Sequence, residues 1–269
     1  MMLSTFIVFG AVVCVLVIII IKGFPSISWE MLSQVPKGGY YMGGGGGILN
    51  AIVGTLIIGI CATILATLAA IPVVIYIHGY AHKKAWVEIV RFALDLLWGI
   101  PSIVYGVLGF TVMMFLHLRA SLLAGIFTIM LLEFPIVTRG MDEIIRLVPK
   151  ALKETSFSLG ANNSETVTRI VLRQAAPGLI TAILIAFGRG VGDAASVLMT
   201  SGYSDRIPTS LMDPVATLPL AIFFQLSSPY PEVQQRAYAS ALVLTVIILI
   251  ISLTTRSLMR RFAKNSIKG

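Results

Sequence analysis

Two charges interrupt an otherwise apolar stretch in the last third of the chain: Arg189 and Asp193, set among Gly188, Gly190 and Gly192. Four residues apart on a helix, their side chains share one face. A guanidinium at that depth is unfavourable unless it is paired or meets water. Its planar fork of donors suits the oxygens of an oxyanion. Two readings compete here: an internal ion pair that neutralises both charges, and a site on the path of an anionic substrate. Arg139, which closes another apolar run, poses the same choice between a snorkelling anchor and a pathway residue. Glu133 and Asp95 are further acids near the membrane, expected at helix ends or between subunits.

Nothing in the sequence assembles covalent or metal chemistry. The five glycines at 43–47 are not followed by the Lys and Ser/Thr of a phosphate-cradling loop, and no nucleophile has a base beside it. Cys14 and Cys61 lie in apolar runs and are expected to pack, while His78 and His82 are expected to be solvated loop residues rather than metal ligands. The chain is therefore not expected to be an enzyme.

The elements that must hold these residues are membrane helices. Of 269 residues, 57% are hydrophobic and 12% charged, a balance outside soluble globular usage. The apolar runs predict an all-α polytopic protein with six spans, at 3–21, 48–77, 92–116, 122–137, 179–199 and 237–253. The first is expected to be retained, since no charged leader precedes it and no small-residue cleavage site follows. Gly99 with Pro101 should bend the third span, and Pro135 should break the fourth. The apolar piece at 218–226 is too short to cross and is expected to be a re-entrant or surface helix. Lys83, Lys84, Arg91, Arg139, Arg146, Lys150, Lys153, Arg169, Arg173 and the basic tail fall on one side, against Lys22, Lys37, Arg119, Arg206 and Arg236 on the other. That imbalance predicts both termini on the cytoplasmic side of a cell membrane, and it accounts for the net charge of +8 without nucleic acid.

The polar insert at 150–178 falls on the same side. It carries Glu154, Gly160, Asn162 and Asn163, then Arg169 and Arg173, at helix, turn, helix spacing. A glycine between amphipathic turns lets the backbone reverse tightly. The insert is then either an ordinary charged loop or a short helix across the membrane face that transmits a push from a partner.

Glu154-Thr155-Ser156, with Gly160 six residues after the glutamate and then Ile170-Val171-Leu172, resembles the EAA loop of ABC importer permeases. Glu154, Gly160, Ile170 and Leu172 keep that family's spacing; Thr155, Ser156 and Arg173 depart from it. The segments at 99–106, 188–193 and 217–220 resemble phosphate-specific permeases of the PstA type. The resemblance implies the all-α fold of type I (MetI-like) importer permeases, as a single transmembrane permease domain with the EAA coupling loop at about 141–178. It implies Glu154, Gly160, Ile170 and Leu172 at the ATPase contact, and Arg139 and Arg189 on the phosphate pathway with Asp193 beside them. Asp193 stands where glutamate is usual. Partners implied are a homologous PstC-like permease forming a heterodimer, a PstB-like ATPase dimer that uses ATP and Mg, and a PstS-like extracytoplasmic phosphate-binding protein. The alternatives are a permease for another oxyanion such as molybdate or sulfate, and an ion-coupled secondary transporter using Arg189 and Asp193 as a substrate and proton pair.

Overall fold

The computed structural model describes residues 2–38, 40, 44–81 and 83–263, and among them it contains helices, turns and loops but no strand. Gly43, His82 and the tail lysines Lys264 and Lys268 lie outside the described residues. Among the described residues eleven α-helices follow one another. They are α1 (Met2–Gly23), α2 (Trp29–Ser33), α3 (Leu49–Ile75), α4 (Lys84–Gly99), α5 (Ser102–Phe115), α6 (Leu122–Arg146), α7 (Lys150–Ser158), α8 (Asn163–Glu165), α9 (Leu172–Val191), α10 (Leu218–Leu226) and α11 (Pro231–Ala263). π-Helical turns at Tyr76–Tyr80 and Thr166–Val171 extend α3 at its end and α9 at its start.

Five helical segments are long and apolar enough to cross a membrane, and the bent pair α4–α5 makes a sixth crossing if taken as one span. The centre is a three-helix bundle of α3, α6 and α9. Ala62, Ala66 and Ala70 recur every fourth residue along α3 and are fully buried. Small side chains at that spacing let backbones approach closely where lipid supplies no hydrophobic drive. Gly140 against Ala182 and Gly178 against Ile144 set α6 and α9 antiparallel. One core cluster gathers Val74, Val137, Met141, Ile145 and Val171, and a second, toward the other end, gathers Ile58, Ile126, Ile129 and Val197. Outside the bundle, α1 packs along α11, with the Lys22 ammonium 5.0 Å from the Tyr238 ring centroid.

Several expectations change. The third span begins early, at Lys84, and bends by 99° at Ile100-Pro101. The reason is that α4 is amphipathic, with Arg91 and Asp95 turned to protein partners, while Trp86, Phe92 and Leu96 are exposed. Pro135 does not break α6, which continues to Arg146. The fifth span ends at Val191 rather than running on, because Asp193 caps a turn by accepting from the Ser196 amide at 3.0 Å. Of the two alternatives for α10, re-entrant or surface helix, the packing favours the first: Leu218, Leu220 and Ala221 are buried while Phe223 and Phe224 stay exposed, and the Leu218 amide donates to Thr55 Oγ1 of α3 at 2.7 Å.

Candidate functional site

Gly190 brings α9 against α6 so closely that a Cβ there would collide with the Glu133 carboxyl and with Ile129. That approach turns the neighbouring Arg189 outward, where 53% of its side chain is exposed. Asp193 is buried, and its Oδ1 lies 3.9 Å from Arg189 Nη1 while its other oxygen accepts from Ser196. At that separation the pair is long for a charge-assisted hydrogen bond. Asp193 is committed to its own turn, and the guanidinium retains free donors on the exposed face.

Arg139 sits lower on the bundle, in a dense cluster of ions. Its Nε lies 3.0 Å from Asp95 Oδ1 and 3.3 Å from Glu143 Oε1, and its Nη1 is 3.5 Å from Asp142 Oδ2. Asp142 has no exposed side chain and accepts from Arg91 Nε at 2.8 Å and Arg91 Nη2 at 2.9 Å. His78 Nε2 lies 2.8 Å from the same carboxylate, and Arg146 Nε 3.5 Å. A buried carboxylate is tolerated only when its lone pairs are filled in this way. The pairs Gly190 with Glu133 and Gly140 with Ala182 place Arg139 opposite residue 183, so Arg189 stands about 9 Å farther along the α9 axis, six residues of helical rise.

The structure thus keeps Arg189 and Asp193 together and puts Arg139 in a separate group. His78 is partly buried and within hydrogen-bond distance of Asp142 instead of solvated, because the π-helical turn after α3 tucks it under α6. Asp95 finds its partner within the chain. Glu133, expected at a helix end or between subunits, lies mid-helix in α6 with no exposed surface. Sequence reasoning passed over Asp142; its available signal was an acid inside an apolar helix with arginines three residues before and four after.

The polar insert forms an elbow. Residues 141–146 continue α6, α7 carries Glu154, and Gly160 reverses the chain with φ +86° and open space around it. Asn162 caps α8 in a reciprocal box with Glu165. Ser156 Oγ, in place of the usual alanine, lies 2.8 Å from Thr166 Oγ1 and staples the two arms. Leu172 packs on the first core cluster, Ile170 is partly exposed, and Leu147, Phe157 and Leu159 present apolar side chains to the outside. Among the described residues no group of three or more His, Cys, Asp or Glu could hold a metal ion.

Residues 70–268 match the family described as "Binding-protein-dependent transport system inner membrane component". The chain is 34% identical over 212 residues to the phosphate transport system permease protein PstA of Yersinia pestis, covering 79% of this chain and 72% of that one. It is 32% identical over 244 residues to PstA of Xylella fastidiosa strain Temecula1, covering 90% and 84%. Among solved structures, an inward-facing MetNI methionine ABC transporter superposes with a TM-score of 0.67 at 17% identity, covering 80% of this chain and 95% of that one. A bacterial alginate ABC transporter superposes at 0.57 and 15%, covering 96% of both. These structural likenesses concern the fold.

Proposed function

The chain belongs to the binding-protein-dependent transport system inner membrane components, and within them to the PstA-type permease proteins; from that premise we propose that it conducts inorganic phosphate inward by alternating access. It is a multi-pass translocation subunit and not an enzyme, so phosphate crosses chemically unchanged. The observation that carries the reading is Arg189: a guanidinium at the level of the bundle's apolar core, more than half exposed and held by Asp193 only at 3.9 Å. Such a group meets an oxyanion with several donors and lets it go, whereas a fully satisfied ion pair offers nothing to bind. Arg139 serves the same path from below, once the Asp95 and Glu143 contacts loosen.

The distribution of Lys and Arg supports cytoplasmic termini and a cytoplasmic elbow. The elbow is the ATPase contact: Glu154 and Ile170 face the partner, Gly160 permits the reversal, and Leu172 passes the push into the first core cluster. Exposed Leu147, Phe157 and Leu159 support this, since apolar groups beside charge at a membrane face favour a docked partner. The assembly consists of a homologous PstC-like permease, a PstB-like ATPase dimer that binds ATP and Mg, and a PstS-like binding protein that delivers phosphate.

ATP-dependent uptake of labelled phosphate into vesicles carrying the whole complex tests the reading, with molybdate and sulfate as competing cargoes. Phosphate uptake lost in Arg189→Ala, with the ATPase still co-purifying, supports it. Uptake indifferent to ATP removes the ABC mechanism, and ATP-driven uptake of another oxyanion corrects the cargo.

A further inference from the structure

Glu133 has no role in the pathway described so far, and its surroundings are odd for a structural residue. Both of its carboxyl oxygens are buried and neither has a hydrogen-bond partner. From α3, the Thr63 hydroxyl is the neighbour placed to hydrogen-bond the carboxyl, and it stands just outside hydrogen-bond geometry. From α9, Gly190 comes so close that a Cβ there would fall on Oε1. An acidic side chain in this position is disfavoured relative to an apolar one of the same volume. If this were its only environment, α6 would be more stable with leucine or methionine there.

The partner that makes sense of it stands next door. α3 carries no Asp, Glu, Lys or Arg, α5 carries none, and Glu133 is the only such residue of α6 before Arg139. Arg139 itself is engaged by Asp95 and Glu143. At the end of α9 the charged neighbours are Arg189 and, in the turn just beyond the helix, Asp193. Of the cations on α3, α5, α6 and α9, Arg189 is the one beside Gly190; α11, which also packs on α9, brings Arg256 to a cavity that it shares with Thr181 and Gly188. On its other side Arg189 is flanked by Gly188, whose missing Cβ would meet open space. Arg189 lies one residue, about 100° of helical turn, from the face that Gly190 sets against Glu133, so a rotation of α9 that opens the tight Gly190 contact would carry the guanidinium off Asp193 and round toward the carboxyl.

We propose that Glu133 is a release group: as α9 moves against α6, Arg189 exchanges its phosphate for the Glu133 carboxyl, and this exchange of hydrogen-bond partners frees the anion. The inference rests on the reading of Arg189 as a phosphate contact. It answers a difficulty in that reading, because a guanidinium that grips an oxyanion in an apolar bundle also holds it back. A carboxyl already at hand competes for the same donors. The cost of leaving it unpartnered in the present conformation is the drive toward the conformation in which it is paired.

The test uses the complete complex, with labelled inorganic phosphate as the probe, and compares wild type with Glu133→Gln. Two quantities are read: the ATP-driven uptake rate, and the phosphate still attached to the purified complex after turnover is stopped. Uptake in the variant is expected to fall about tenfold, the scale of one close polar pair, while retained phosphate rises. A merely structural role lowers both together, and that outcome, or wild-type values of both, overturns the proposal. Should the amide variant not assemble, Glu133→Met fills the same space without polar atoms, and the same two readings decide. Arg189→Ala separates the two levels of argument. If it leaves uptake intact, the phosphate role of Arg189 fails; if it abolishes uptake while Glu133→Gln behaves as wild type, only the release role fails.

Discussion

Arg91 grips Asp142 through both carboxylate oxygens, Nε at 2.8 Å and Nη2 at 2.9 Å, and so ties the bent-over α4 to the middle of the bundle. The bond is bidentate, and its acceptor is fully buried. It holds the bend in place more firmly than the apolar contacts of α4, most of whose side chains are exposed.

Asp142→Ala should therefore be among the most damaging single changes outside the pathway. It strands Arg91, His78 and parts of Arg139 and Arg146 at once, and removing one member of a buried ionic group costs about 3–5 kcal/mol. The expected result is a large drop in thermal unfolding temperature of the detergent-purified complex, read by the fluorescence of Trp86 and Trp98 on α4.

Ser156→Ala should cost about 1 kcal/mol by leaving Thr166 without its partner. Ser156→Ala with Thr166→Val removes both hydroxyls and should recover most of that loss. Stability of the ATPase association across the four proteins of this cycle is the measurement, and a double variant no better than the single one removes the staple.

Two glycines should fail for opposite reasons. Gly160→Ala meets no atoms but places a side chain at φ +86°, which costs about 1 kcal/mol and acts on the elbow alone. Gly190→Ala is conformationally easy and sterically blocked by Glu133. Adding Glu133→Ala, which removes the closer clash and leaves Ile129 to give by a few tenths of an ångström, should partly rescue assembly of the Gly190 variant and do nothing for the Gly160 variant, as judged by yield of the co-purified complex.

Tyr40 should titrate late. It lies outside the spans, where the Arg236 guanidinium stacks 4.6 Å from its ring centroid and donates to its carbonyl at 2.9 Å. Burial pushes its phenol up to about 12, against a smaller opposing pull from Arg236. A folded-state value above the unfolded one means full stability below about pH 10, then loss as pH rises through about 12. Tyrosinate absorbance should show a phenol ionising late, and Tyr40→Phe should diminish that late step.

Much of this was legible in residue types. The apolar runs mark the crossings, Gly160 marks the reversal of the elbow, and the Arg189–Asp193 spacing marks the pair that the structure keeps. What escaped was whatever depends on contacts distant in sequence. His78 and Arg91 meet Asp142 across 64 and 51 residues, so no local pattern points to them. Gly99 and Pro101 announced a bend, but its 99° is set by where α4 finds its ionic partners. Pro135 shows the converse, a local breaker overruled by a helix packed on both sides. The environment of Glu133 was hidden because burial in a bundle belongs to three helices at once.

The π-helical turn at Thr166–Val171, buried at Val167 and Val171, joins the elbow to α9. Such a turn holds one residue more than an α-helical turn would. Losing one residue there would let the helix heal into regular α form and rotate everything before it by about 100° relative to α9. The bearing of the elbow toward whatever it touches is thus fixed by a residue count, and a single-codon insertion or deletion in this segment would re-aim it where many side-chain substitutions would not.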